Sequence, residues 1–509
     1  MADSLSSAVR SVVASKLFVV LAGFLFTPVL VRLLGPTEYG RYALVLSIFG
    51  IVNIVVIGGT SDAVRKYISE RSDPAWQAAV YGYVFRPALG LGLLVGAAFW
   101  VAAWTGLAAQ TFGDPFTSLF YLLGGYAIAS QLAYHNLRTL MGLERESRSE
   151  PLKVIEKTLF VTVALALVYA GLGVEGVLVG HILASVVVFA LALVFIAQSI
   201  PLRSLVSPPS IDLPKRGIVG YLGSTIVFFL FLNSLYHVDV ILLQYWTTDE
   251  TVGYYKGALS IAEFLWLAPT AVQLVLLQRI SNLWASGDLE AIQRQAGRAT
   301  RYVFLFTALL AVGVAALATE FVPLYLGSAF EPSITPLLLL LPGVLGFAVA
   351  RPTLAINQGR RSLRPLLVAT GGCSLVNLAL NLALIPAYGM AGAAVATSIG
   401  YGSLVGFQSL AARYLGYRPL AGVRWRPVLV SSGVTAAVIV PVAAILPSAI
   451  LALVVVPPLG AAVYATLAIV TGALTAEELS ELVDGTGVVP ARLERRLFVV
   501  VDRLPKVYE

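Results

Sequence analysis

Gly40-Arg41-Tyr42-Ala43-Leu44-Val45-Leu46-Ser47-Ile48 recurs, 213 residues further along, as Gly253-Tyr254-Tyr255-Lys256-Gly257-Ala258-Leu259-Ser260-Ile261. Apolar sequence resembles itself by chance, so one such pair decides little. Two further pairs keep nearly the same offset: Pro151-Leu152 with Pro365-Leu366, and Gly173-x-x-Gly176 with Gly389-x-x-Gly392. All three fall where a new apolar segment starts, and together they predict a chain built from two similar halves.

Working outward from these pairs, about fourteen apolar segments are legible. They cover 9–34, 38–60, 88–109, 116–141, 154–171, 176–197, 218–245, 253–278, 301–319, 334–357, 364–386, 389–411, 427–446 and 448–471. A helix crossing the hydrocarbon needs about 20 apolar residues. The runs are unbroken, whereas barrel strands alternate over about ten residues, so the spans are helices. Composition agrees: 58% of residues are hydrophobic, 12% are charged, and the mean hydropathy is +0.86. A soluble domain has about a quarter of its residues charged, so lipid must solvate much of this surface.

Basic residues fall into every second gap. Of the 34 Lys and Arg, 31 lie in or beside loops of one side, the exceptions being Arg32, Arg41 and Lys256. That asymmetry predicts a multi-pass protein with both termini cytoplasmic. It also explains the net charge of +7 as loop-borne, which argues against nucleic acid as a partner and leaves membrane lipids. Cys373 is the single cysteine, and His135, His181 and His237 are scattered over three segments, so no metal site is expected. The first apolar stretch, Val9–Leu34, is too long for a signal-peptide core and reads as a span.

The repeat offset encloses six segments, an even number, so both halves enter the membrane from the same side. Parallel repeats of this kind are a transporter signature, with substrate held between two lobes that rock against each other. The expected organisation is a six-helix lobe over 1–198, a cytoplasmic linker over 199–217 and a second six-helix lobe over 218–412. A further helix pair follows over 413–471, then a cytoplasmic amphipathic tail over 472–509. The tail opens on a capping-box pattern at Thr475-Ala-Glu-Glu-Leu, and Ala491–Leu504 alternates basic and apolar residues.

Leu33-Leu-Gly-Pro-Thr-Glu-Tyr-Gly-Arg-Tyr-Ala-Leu44, between the first two segments, resembles the opening of prokaryotic polysaccharide (Wzx-type) flippases. Asp239-Val-Ile-Leu-Leu, running on to Val252-Gly-Tyr-Tyr-Lys-Gly-Ala-Leu259, resembles the matching later stretch in the same proteins. They belong to the multidrug/oligosaccharidyl-lipid/polysaccharide exporter superfamily. The resemblance implies a MATE-like fold in a prokaryotic cell membrane. It also implies alternating-access flipping of lipid-phosphate- or lipid-pyrophosphate-linked oligosaccharides from the cytoplasmic to the outer leaflet, alongside glycan-assembly enzymes. No cofactor is implied, although H+ or Na+ coupling is open.

Ionisable residues inside the membrane are costly and therefore functional candidates. Asp239 lies eight residues before an outer turn and Glu263 ten residues beyond it, about 12 and 15 Å deep at ~1.5 Å per residue. Lys256 shares a helical face with Glu263. The three form a candidate coupling or gating network, with a structural ion pair as the equal alternative. Arg32 and Arg41 flank the first outer turn; they either snorkel to the interface or, with Lys256, form a basic rim for phosphate oxygens. Gln131, His135 and Asn136 form a polar face suited to sugar hydroxyls, or to interhelical hydrogen bonding, the commoner use. The same ambiguity applies to Asn377 with Asn381, to Asn53, and to Asn233 with His237.

Two other classes compete. A cation-coupled multidrug exporter of the same superfamily lacks the extra helix pair and the Leu-Gly-Pro-x-Glu-Tyr-Gly stretch. A membrane glycan polymerase or glycosyltransferase needs a large outer loop or a paired-acid metal site, and the sequence offers no Asp-x-Asp and no outer loop beyond roughly 15 residues. No P-loop motif is present either.

Overall fold

The structure is a computed structural model in which residues 2–54, 59–206, 211–359, 364–475 and 478 are described. No strand occurs among them. The helices are α1 (Ala2–Asn53), α2 (Gly59–Ser69), α3 (Pro74–Trp104), α4 (Leu107–Phe112), α5 (Phe116–Gly142), α6 (Glu146–Leu167) and α7 (Gly173–Ala197). They continue with α8 (Lys215–Trp246), α9 (Asp249–Phe264), α10 (Leu267–Ser286), α11 (Leu289–Ala316) and α12 (Ala318–Leu326). The last four are α13 (Ile334–Gln358), α14 (Arg364–Tyr414), α15 (Trp425–Ile445) and α16 (Ala449–Val470).

Among the described residues, eight helices are long and apolar enough to cross a membrane, and α9 with α10 makes a ninth span bent by 52°. Several are compound. α1 kinks at Gly35 and α14 at Gly389, while α6 runs into α7 through a one-turn π segment, Val168–Leu172. With the arms counted separately, fourteen long helices result, matching the segments read from the sequence. Gly173 (φ 53°, ψ −137°) and Gly389 (φ 54°, ψ −131°) share one backbone conformation, which a side chain would strain. The Gly173/Gly389 pair is thus repeated in backbone conformation as well as in sequence.

Three segments differ from expectation. The third span starts at Pro74 rather than 88, because Asp73 caps it: its carboxylate accepts from the Ala75 and Trp76 amides, with Pro74 as first helical residue. Arg86 therefore sits within a helix, where its Nε donates to the Leu205 carbonyl at 3.0 Å. The ninth span likewise starts earlier, at Leu289 behind the Asp288 cap. The eighth is broken at Leu265-Trp266, and the Trp266 indole donates to the Val344 carbonyl at 3.0 Å.

By packing, the chain forms two units. The first comprises the described residues up to Gly257 together with Asn381–Ala393. In it α5 lies along both α3 and α7, over a core that includes Tyr81, Val84, Leu137, Leu140 and Val188. The second comprises Ala258–Leu380 and the described residues from Ala394 onward. There α13 packs on α10 and α11, and the α15–α16 pair leans on α11. Gly343 meets Ser398 and Gly346 meets Gly402 where α13 crosses α14. Small residues allow such close approach between membrane helices.

At the C-terminal end the capping box forms: the Glu478 amide donates to Thr475 Oγ1 at 3.3 Å, and the Thr475 amide to Glu478 Oε2 at 3.1 Å. Glu478 also pairs with Arg301. The amphipathic stretch Ala491–Leu504 lies outside the described residues.

Candidate functional site

The opening sequence pair is a contact in three dimensions. A Cβ on Gly40 would overlap the carbonyl of Asp249, and a Cβ on Gly253 would overlap the carbonyl of Pro36. The repeat offset maps Pro36 onto Asp249 and Gly40 onto Gly253. The contact is therefore reciprocal, as across a local twofold axis, with a glycine of each copy against a carbonyl of the other. It lies at the turns on the charge-poor side of the membrane.

Charges close this seam unevenly. Arg41 pairs with Glu38 on its own helix and, through Nε at 2.7 Å, with Oδ2 of Asp249. Gln244 Nε2 donates to the other Asp249 oxygen at 2.7 Å, and the Val174 amide to Glu38 at 3.4 Å. The residue equivalent to Arg41 is Tyr254, which donates to Glu250 at 2.6 Å. Arg41, 24% exposed, is thus a crosslink between repeat copies, and its bond to Asp249 is worth on the order of 1 kcal/mol after solvent screening. Arg32 is exposed on the first arm of α1.

Deeper on the same pair of helices, Asp239 is fully buried; Tyr255 Oη donates to its Oδ2 at 2.5 Å, and the Val240 amide to its Oδ1. Lys256 and Glu263 are half-buried on α9. Lys256 interacts electrostatically with His237, whose ring fills the space a side chain on Gly50 would take.

Gln131, His135 and Asn136 are all wholly buried inside the first unit, at the level of α2 and α3. Gln131 donates to Thr60 Oγ1 at 2.9 Å. Asn136 accepts from Tyr81 at 3.0 Å and reaches the Phe189 carbonyl at 3.4 Å. His135 packs between the rings of Tyr81 and Phe85. The second unit has a buried asparagine contact of the same kind at a position that the repeat does not relate to Asn136: Asn357 accepts from Tyr417 at 2.7 Å and donates to the Gln408 side chain at 2.9 Å and its carbonyl at 3.3 Å. Tyr417 lies in the loop after α14, where burial holds its phenol far above its usual pKa and so keeps it a donor.

Several groups escaped the sequence reading. Glu38 and Asp249 pass there as ordinary turn residues, although the repeat offset, applied to Pro36, points straight at Asp249. Arg351 lies inside α13, over the rings of Trp266 (5.3 Å) and Phe347 (4.9 Å), with Nη1 donating to Gln273 at 2.8 Å. Within the first unit Lys157 lies 5.4 Å from the Phe26 ring and 5.1 Å from that of Phe160, and Phe160 stacks on His181.

The long apolar helices and the repeated corners define a polytopic helical membrane protein. The model of the polysaccharide biosynthesis protein family matches residues 29–335, and the chain belongs to that family. A Haloferax volcanii protein described as "Probable flippase AglR" is 25% identical over 403 residues, covering 76% of this chain and 79% of its own length. Among solved structures, the fold is similar to that of the lipid II flippase MurJ in an inward closed conformation. The TM-score is 0.69 at 15% identity, over 89% of this chain and 97% of that one. It is similar also to an inward-facing MATE multidrug-resistance transporter of the MOP superfamily, with TM-score 0.67 at 16% identity, over 78% and 94%.

Proposed function

We propose that the protein flips lipid-linked oligosaccharides, carried on a phosphate or pyrophosphate, from the charge-rich cytoplasmic leaflet to the outer leaflet by alternating access. The observation that carries this reading is the similarity to the probable flippase of Haloferax volcanii along three quarters of both chains, within a polysaccharide-biosynthesis family. The membrane is the cell membrane of a prokaryote, and glycan-assembly enzymes supply the substrate.

In this mechanism the seam of Gly40, Gly253, Arg41 and Asp249 is the outer seal. It opens when the turns of the two repeat copies separate, which costs the ion pair and exposes Arg41 to the departing headgroup. Arg32 and Lys256 complete the basic rim. Asp239 and Glu263 are the coupling groups: a cation or proton at Asp239 competes with the Tyr255 hydrogen bond and so alters how α8 and α9 are tied. Gln131, His135 and Asn136 act by holding the bundle, as their partners indicate.

The reading is tested by deleting the gene and analysing the lipid-linked glycan by leaflet. Accumulation on the cytoplasmic side is expected. Unchanged export, in a cell without a redundant flippase, contradicts it.

A further inference from the structure

In the second unit, α12 and the turn between α15 and α16 enclose a cleft of about 490 Å³ on the charge-poor side of the membrane. Thr319, Glu320 and Leu324 of α12 form one wall, and Ser448, Ala449 and Ala452 form the other. Ala443, buried at the end of α15, lies at the floor. The three alanines leave space that longer side chains would fill. The mouth lies beside Ile445 and Ile450, which are 77% and 66% exposed, so the cleft borders the lipid-facing surface.

The polar groups around this space favour a cation. Thr319 Oγ1 donates to Glu320 Oε2 at 2.9 Å, and among the described residues the half-buried Glu320 carboxylate forms no ion pair. Ser448 Oγ accepts the Leu451 amide at 3.2 Å, which leaves its hydroxyl a further acceptor position. α15 ends here with no basic residue in its last turn. Leu446 donates to the Ala443 carbonyl at 3.4 Å and Pro447 has no amide to donate. The final carbonyls of α15 therefore keep the partial negative charge of a helix C-terminus. Among the described residues that line the cleft there is no lysine, arginine or histidine.

We propose that this cleft binds the primary ammonium head of a membrane lipid, with Glu320 as counter-ion and the lipid's apolar part lying along Leu324, Ala449 and Ala452. A carboxylate set against apolar walls attracts a cation more strongly than a fully solvated one does. A primary ammonium brings three donors to a site made of a carboxylate, hydroxyls and helix-end carbonyls. A quaternary ammonium brings none, and among the described lining residues there is no aromatic ring to hold it by cation–π attraction. A head that is only anionic is repelled by Glu320 and by the end of α15. The site shares no residue with the seam of Arg41 and Asp249 and is independent of the flippase reading.

The test titrates purified full-length protein in maltoside detergent with dilauroyl phosphatidylethanolamine, phosphatidylcholine and phosphatidylglycerol, and measures bound lipid by native mass spectrometry. The ethanolamine lipid is expected to bind about tenfold more tightly than the other two. Glu320→Gln, which keeps the shape of the side chain, should erase that preference. Ala449→Trp, at the exposed lip, should block the ethanolamine lipid with Glu320 still in place, and it covers the case in which Glu320→Gln fails to fold. Free ethanolamine, lacking the apolar chains, should compete only at roughly a hundredfold excess. Competition at equal concentration overturns the lipid as occupant in favour of a soluble amine. Equal binding of the three lipids by wild type overturns the site. So does a preference that survives Glu320→Gln, or ethanolamine-lipid binding that survives Ala449→Trp.

Discussion

Arg41 is a residue whose sequence context and structural role diverge. In the charge pattern it is a basic residue on the wrong side of the membrane; in three dimensions it is half of an ion pair between repeat copies. Arg41→Ala leaves Asp249 with Gln244 alone and removes the latch. We expect a loss of about 1 kcal/mol in thermal unfolding and a shift of the transporter toward its outward-open form, read as faster alkylation of a cysteine placed at Thr251. Cys373 is buried, so the native thiol does not compete. Unaltered alkylation sinks the gate assignment. Asp239→Asn keeps the shape of the contact with Tyr255 and removes its charge. Translocation by this variant, and by Glu263→Gln, should fall severalfold or more in protein that still inserts and folds; wild-type activity in both ends the coupling proposal.

At the scale of elements, glycines and buried asparagines carry the account. Gly253→Leu drives a side chain into the Pro36 carbonyl, so the two turns must part. It should lower stability by several kcal/mol if the seam cannot open, or trap one conformation if it can; a variant with wild-type melting and transport contradicts the seam. Asn136→Leu strands the Tyr81 hydroxyl and should cost ~1–3 kcal/mol. Adding Tyr81→Phe should recover part of that loss, which a double-mutant cycle measures. The span boundaries at α5, α13, α15 and α16 are legible because apolar runs there end at glycine, proline or polar turns. The early start of α3 is not, because Tyr81, Tyr83 and Arg86 dilute its hydropathy. Only the Asp73-Pro74 cap, a two-residue signal, announces it.

For the whole molecule, the repeat is the organising fact, yet packing does not divide the chain at the linker where the repeat does. α8 and the start of α9 belong to the first unit, because Gly253, Asp249 and Arg41 fasten them to α1. The pattern of loop charge makes a further prediction. In a Cys373→Ala background, Asp114→Cys should react with an impermeant maleimide in intact cells, whereas Glu144→Cys should react only after lysis. Reversed labelling overturns the orientation on which the direction of transport depends.

The most direct test of the central claim is translocation itself. Purified protein is reconstituted into liposomes containing a polyprenyl-phosphate-linked oligosaccharide, and the fraction accessible to an external glycosidase is followed over time. The account predicts transfer between leaflets that depends on the protein and is slowed by Asp239→Asn and by Gly253→Leu. Transfer no faster than in protein-free liposomes, for phosphate- and pyrophosphate-linked glycans alike, contradicts it.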